Sequence, residues 1–314
     1  MNTTVNPAPG QADRKRQLRG SLLLLLGSVI WGAAFAAQRA GMDHLGPMTF
    51  TGIRMLLGAA VLTPAVIVKE RKHPKTLPEK KEQHKAGLLC GLFLFVASIL
   101  QQIGLVSTTA GKAGFITALY VVLVPVAAWR LFKKNPGRII WVSVLLAVAA
   151  LYLLCMPAGG SMTLQTGDLL VLGCAVCFTG QILCVDHYAP RVSGIRLARD
   201  EFLITGGLSL MIALFTESIV WDGIRQALIP ILYTGIMSSA VGYTLQIYGQ
   251  RDTDPTIASI LMCLEAVFAV LTGALLLGER MTGREMAGSV MMFAAVVLAQ
   301  MSPLLGQRKN SYQW

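Results

Sequence analysis

Ten apolar stretches follow one another along this chain, at residues 18–38, 47–68, 86–106, 109–131, 138–156, 167–187, 200–219, 226–248, 255–277 and 285–304. About 20 such residues wound as an α-helix match the hydrocarbon thickness of a bilayer. In lipid every backbone N–H and C=O must be satisfied within the protein, which leaves helices or closed barrels as spanning structures. Clusters of glycine, proline and charge separate the stretches, among them "KERKHPKTLPEKKEQHK", "FKKNPGR", "MPAGGSMTLQTGD" and "GQRDTDP". Composition agrees: 54% of residues are hydrophobic and 14% charged, where a soluble domain carries about 25% charged. The expectation is an all-α integral membrane protein with ten transmembrane helices and the lipid bilayer as its partner.

The formal net charge of +11 would suit nucleic acid, but its placement favours topology. With the N-terminus placed inside, 21 of the 27 Lys and Arg fall in the tails and loops of the cytoplasmic side and 5 on the outer side, leaving Arg54 within a span. That asymmetry is the positive-inside signature, so both termini are expected in the cytoplasm and no nucleic-acid partner is implied. Six cysteines lie in or beside apolar spans. Cys174 and Cys177 form a CxxC, yet no second pair in a polar loop completes a zinc site. Packing residues are the expected reading of these thiols, with no metal and no cofactor.

The chain also repeats itself. Placing "LQQIGLVSTTAGKAGFITALYVVLVP" (100–125) over "LQIYGQRDTDPTIASILMCLEAVFAV" (245–270) aligns Leu100 with Leu245, Gln101 with Gln246, Gly104 with Gly249 and Leu119 with Leu264. "GSLLLLLGSVIWG" (20–32) matches "GDLLVLGCAVCFT" (167–179) more weakly, pairing Trp31 with Phe178. Each half holds five spans, and five is odd. A repeat with an odd number of crossings re-enters the membrane upside down, so a pseudo-two-fold axis in the membrane plane relates the halves. Inverted repeats around a midplane site are a mark of secondary transporters. The expected organisation is a cytoplasmic tail (1–17), a first five-helix repeat (18–156), an outer linker (157–166), a second five-helix repeat (167–304) and a cytoplasmic tail (305–314).

Three segments resemble EamA-type carriers of the drug/metabolite transporter superfamily: "SVIWGAAFAAQRAG…LGPMTFTGIRMLLGA", "TTAGKAGFITALYVVLVPV" and "TIASILMCLEAVFAVLTGALLLGERMTGREMAGSVMMFAAVVLA". The resemblance covers residues 18–304. It implies ten helices in two inverted five-helix repeats around a central cavity, export of amino acids or other small metabolites, and a place in a bacterial cytoplasmic (inner) membrane. "LEAVF" has alanine where many such carriers have proline, whereas "VLVPV" keeps Pro125, so the fourth and ninth helices are expected to bend differently.

Glu265 interrupts the ninth apolar stretch near its middle, and its repeat mate is Tyr120. An acid at the bilayer centre costs a few kcal/mol, so such groups commonly face a cavity and serve function. On the ninth helix Ala258, Met262, Glu265 and Ala269 share one narrow face at i, i+3, i+4 spacing, suited to a substrate wall or a close helix crossing. Glu265 has three open roles: exchanging protons during transport, holding the ammonium of a cationic or zwitterionic substrate, or packing as a hydrogen-bonded acid. Gln101 and Gln246 form a mirrored pair whose amides both donate and accept, with Gln102 adjacent and only one of the two neighbours able to face a cavity. Gln181 on the sixth span and Trp31 on the first complete the candidate substrate-binding set. Arg54 is expected to snorkel to the interface or pair locally.

No Walker A, GxSxG or HExxH pattern occurs, so nucleotide hydrolysis and membrane-enzyme chemistry find no residues to use. A channel or scramblase would want a continuous polar track, and the spans carry isolated polar residues instead. A membrane sensor would want an appended soluble domain. The expected function is a secondary transporter working by alternating access on a small metabolite; direction is not encoded in these residues, so an importer would look the same.

Overall fold

A computed structural model describes residues 11–72, 76–107, 110–133, 135–156, 165–277 and 281–308. The described residues are almost entirely helical and contain no strand. Ten helical spans make the fold. The first half comprises α1 (Gln11–Met42), α2 (Pro47–Lys72), α3 (Leu77–Ser107), α4 (Ala110–Ala118 continued by Tyr120–Phe132) and α5 (Gly137–Cys155). The second comprises α6 (Thr166–Tyr188), α7 (Gly194–Thr216), α8 (Leu228–Arg251), α9 (Pro255–Met262 continued by Leu264–Leu277) and α10 (Gly283–Arg308). Among the described residues nine are long and apolar enough to cross a membrane, by length and composition alone. The tenth, α7, carries Arg196, Arg199, Asp200 and Glu201 near its start and is mostly apolar from Phe202 through Phe215. Residues 11–17 and 305–308, expected in the tails, extend α1 and α10 as helix. Residues 1–10, 309–314 and 157–164 of the expected tails and linker lie outside the described residues.

The halves pack as two-fold mates. α3 lies against α6 as α8 lies against α1, while α2 pairs with its own mate α7, and α5 with its mate α10. Glycines set the closest approaches. A Cβ built on Gly104 of α3 would sit 2.9 Å from the Gly167 carbonyl oxygen of α6, and one on Gly167 2.7 Å from the Gly104 oxygen. The mates repeat the geometry: a Cβ on Gly249 of α8 would sit 2.9 Å from the Gly20 oxygen of α1, and one on Gly20 2.8 Å from the Gly249 oxygen. Without a hydrophobic drive between helices in lipid, such close backbone contact supplies the packing energy. The same correspondence holds at the self-paired contact, where a Cβ on Gly52 would meet Leu210 and one on Gly206 would meet Leu56.

Two departures from regular helix flank the centre. α4 is interrupted at Leu119 and α9 at Cys263, nearly equivalent positions of the two repeats, and the Cys263 thiol faces the Ala118 carbonyl at 3.8 Å. Pro125 lies within the second segment of α4, and both helices break close to where they meet. α8 runs as a π-helix over Tyr233–Tyr243. π-Turns misalign carbonyls with their usual donors and recur at functional sites.

Candidate functional site

A cavity enclosing about 600 Å³ of space between atoms, counting its open mouth, lies between α1, α2, α3, α4, α6, α8 and α9. Its lining is built from two-fold mates. Trp31 and Phe178 both face it, as do Gln101 and Gln246, and Tyr120 and Glu265. Three mate pairs can meet in one space only if that space lies on the pseudo-two-fold axis. All six residues singled out from the sequence, namely Glu265, Tyr120, Gln101, Gln246, Gln181 and Trp31, line this cavity.

Each is held by the helix that carries it. Tyr120 and Leu264 open the second segments of α4 and α9, so Tyr120 and Glu265 stand just past the helix breaks. The Tyr120 hydroxyl faces the Glu265 carboxyl. A Cβ on Gly32 of α1 would meet the Glu265 carbonyl oxygen at 2.8 Å, so the narrow face of α9 serves both as cavity wall and as helix crossing. The Trp31 indole Nε1 donates to the Ser238 carbonyl at 3.1 Å, satisfying an acceptor inside the π-segment of α8. Tyr243 packs edge-on against Trp31, ring centroids 5.0 Å apart. Gln101 donates to Thr117 Oγ1 at 3.2 Å, and the neighbouring Gln102, fully buried, donates to Gln38 Oε1 at 2.9 Å. Of the adjacent amides, Gln101 is therefore the one that faces the cavity.

Arg54 overturns its sequence reading. It is 3% exposed, lines the cavity, and its Nε is buried without a hydrogen-bond partner. It does not snorkel, because α2 packs this turn against α7 and α8 and turns the guanidinium inward. Among the described residues no carboxylate forms an ion pair with it. Sequence reasoning also missed Glu201, which is fully buried on α7 one hydrogen bond behind the cavity: Gln181 Nε2 donates to its Oε2 at 3.3 Å. Glu201 is the second residue of the apolar stretch 200–219, beside Arg199 and Asp200, where hydropathy does not set it apart from a span end.

Comparison with known proteins gives this architecture its family. The EamA-like transporter family matches residues 18–156 and again 165–301. The chain belongs to that family. As an EamA-like transporter it is a multi-pass membrane protein that acts on a small-molecule substrate. An uncharacterized transporter of Archaeoglobus fulgidus is 28% identical over 93% of this chain and 89% of its own length. The threonine/homoserine exporter RhtA of Salmonella typhimurium is 26% identical over 92% of each chain. A probable amino-acid metabolite efflux pump of the same organism is 26% identical, over 89% of this chain and 94% of its own. A solved crystal structure superposes with a TM-score of 0.76 at 18% identity, covering 92% of this EamA-like chain and 98% of the other, which supports the fold.

Proposed function

We propose that this transporter exports small zwitterionic metabolites of the amino-acid class across the cytoplasmic membrane by alternating access, with both termini in the cytoplasm. One observation carries the reading: a carboxylate, Glu265, and a guanidinium without an ion-pair partner, Arg54, face the same otherwise largely apolar cavity and form no ion pair with each other. Opposite charges kept apart across a cavity complement a ligand that carries both. The ammonium goes to Glu265 beside Tyr120, the carboxylate to Arg54, and the amides of Gln101 and Gln246 meet the polar part of the side chain. Trp31, Phe178 and Tyr243 supply apolar surface. Glu265 holds the ammonium in one half of the cycle and a proton in the other, which would couple export to proton entry. The names of the exporter relatives support the substrate class.

Purified protein in liposomes, loaded with unlabelled L-threonine and given labelled L-threonine outside, tests this by counterflow. Wild type is expected to exchange label. Arg54→Gln removes a charged hydrogen-bond partner of the carboxylate, worth about 1.5–3 kcal/mol, so half-saturation rises about 10- to 150-fold. Full gradient dependence in Glu265→Gln would remove that residue from coupling.

A further inference from the structure

Behind the cavity a chain of amides ends on a buried acid. Gln246 Nε2 donates both to Gln250 Oε1 at 2.9 Å and to Gln181 Oε1 at 3.1 Å, and Gln181 Nε2 donates onward to Glu201 Oε2 at 3.3 Å. Gln250 Nε2 closes the other end on the Ile182 carbonyl at 3.1 Å. Every donor between Gln246 and Glu201 therefore points toward the acid. An ionised carboxylate accepts only, so Glu201 imposes this order. Two acceptors are left over, one at each end: Glu201 Oε1 and Gln246 Oε1 are buried with no hydrogen-bond partner. An unmet buried acceptor costs about 1–3 kcal/mol.

A single proton relieves both: it removes the charge that makes the unmet Glu201 Oε1 most costly, and it starts a reversal that reaches Gln246. Bound to Glu201 Oε2, it makes an O–H that donates to the carbonyl of Gln181 once that amide turns over. The Gln181 NH₂ then points back toward Gln246, which turns over in its turn so that its Oε1 accepts this bond. Gln250 also turns over, giving up the Ile182 carbonyl to donate to Gln246 Oε1, and the Gln246 NH₂ takes the place that its Oε1 held, on a residue that lines the cavity. No bond is broken other than hydrogen bonds, and the proton comes from water. We infer that Glu201 is a second proton-binding site of this transporter, set behind the cavity, and that its proton reverses the donor order of the amide chain and so adds a donor to the cavity wall. An added donor opposes an ammonium group, so protonation of Glu201 weakens substrate binding. This step rests on the zwitterion reading of the cavity; the proton site itself does not.

The surroundings fit a proton rather than a permanent ion pair. Facing Glu201 are the Cys90 thiol from α3, Cys184 from α6, Tyr243 from α8 and Asp200 from its own helix. The nearby cations are committed elsewhere: Arg199 to Asp200 at 2.6 Å, and Arg196 to Glu70 of α2 and to Asp200 at 3.4 Å. Arg196 also reaches the exposed His84 at 3.4 Å. Glu201 thus stands between this ion network, which opens to the loop face, and the amide chain, which opens to the cavity.

Infrared difference spectra of the full-length protein in liposomes, taken as pH is lowered, test the site without any substrate. Wild type is expected to gain a protonated-carboxyl band that Glu201→Gln removes, while Gln181→Leu keeps the band at a shifted frequency because the O–H loses its acceptor. A spectrum unchanged by Glu201→Gln overturns the site. Counterflow of L-threonine tests the consequence. Glu201→Gln should still exchange threonine yet lose one proton's share of the pH dependence of half-saturation, about tenfold per pH unit. An unchanged pH dependence overturns the amide coupling. Absence of threonine exchange in wild type would defeat the export reading instead, and the infrared band then decides Glu201 alone. If Glu201→Gln does not fold, Gln181→Leu carries the test: a band in the wild-type position would show that no relay exists.

Discussion

The two glycine crossings permit a quantitative test of the inverted repeat. An alanine at Gly104 places its methyl 2.9 Å from the Gly167 carbonyl oxygen and 2.6 Å from Val171 Cγ2; an alanine at Gly249 places it 2.9 Å from the Gly20 oxygen and 2.7 Å from Leu24 Cγ. Ordinary contact begins near 3.4 Å. Each pair of helices must therefore separate by about half an ångström, and a carbonyl oxygen within a helix cannot turn aside as a side chain can. Overpacking of this kind costs about 1–3 kcal/mol, partly offset by the gain of about 1 kcal/mol for alanine over glycine in a helix. The control is Gly207 on the exposed face of α7, where a Cβ meets nothing within 4 Å. Gly207→Ala should raise the thermal midpoint of the detergent-solubilised protein, whereas Gly104→Ala and Gly249→Ala should lower it by similar amounts. Their double substitution should be additive to within about 0.5 kcal/mol, because the crossings share no partner. The reasoning fails if either crossing variant matches Gly207→Ala, or if the two mates differ severalfold, since equal geometry would then not mean equal packing.

Two further substitutions probe how α2 and Trp31 are held. Glu217, just beyond α7, accepts from the Met48 and Thr49 backbone N–H groups at 2.8 and 2.9 Å and from the Thr49 hydroxyl at 2.7 Å. It caps the start of α2 from another helix, where a carboxylate also meets the helix dipole. Glu217→Ala should destabilise by about 1–2 kcal/mol, read as a lower thermal midpoint with exchange activity retained below it. Trp31→Phe keeps the aromatic surface and removes the bond to the Ser238 carbonyl, and should cost about 1–3 kcal/mol for the acceptor left unmet. Trp31→Phe with unaltered stability would show that the π-segment does not depend on that bond.

Much of the architecture was legible in the sequence because bilayer thickness fixes helix length, and because a shift of 145 residues superposes Gln101 on Gln246 and Gly104 on Gly249. The cavity residues stood out for a related reason: Glu265, Gln181 and Gln246 are polar where lipid would reject them. Arg54 and Glu201 were hidden by the converse. A charge within reach of a span's end has two fates, outward to the interface or inward to a cavity, and hydropathy does not separate them. For Arg54 the choice is made by rotation of α2 against α7, a tertiary contact. For Glu201 it is made by the apposition of Gln181 from α6. The amide chain was equally invisible, since Gln181, Gln246 and Gln250 become one hydrogen-bonded unit only when α6 and α8 pack.

The places where the halves agree and disagree bear on how access alternates. The crossings Gly104·Gly167 and Gly249·Gly20 have nearly the same geometry in both halves. The mates α3 and α8 do not: α3 is a continuous α-helix over Leu77–Ser107, whereas α8 carries Pro230 and the π-segment Tyr233–Tyr243 beside the cavity. In an inverted-repeat carrier held in one state, each half shows the shape that the other takes in the opposite state. Contacts alike in both halves then persist through the cycle, and contacts that differ are exchanged. Under the alternating access proposed above, the crossings would act as pivots and the middle of α8 would be the element that moves, releasing and remaking the Trp31–Ser238 bond. Hydrogen exchange on the reconstituted protein reads slow opening of this kind. Adding L-threonine should change protection within Tyr233–Tyr243 and leave the residues around Gly20, Gly104, Gly167 and Gly249 unaltered. Changes concentrated at the glycine crossings, with a silent π-segment, would place the moving joint where the two halves are alike and refute this assignment.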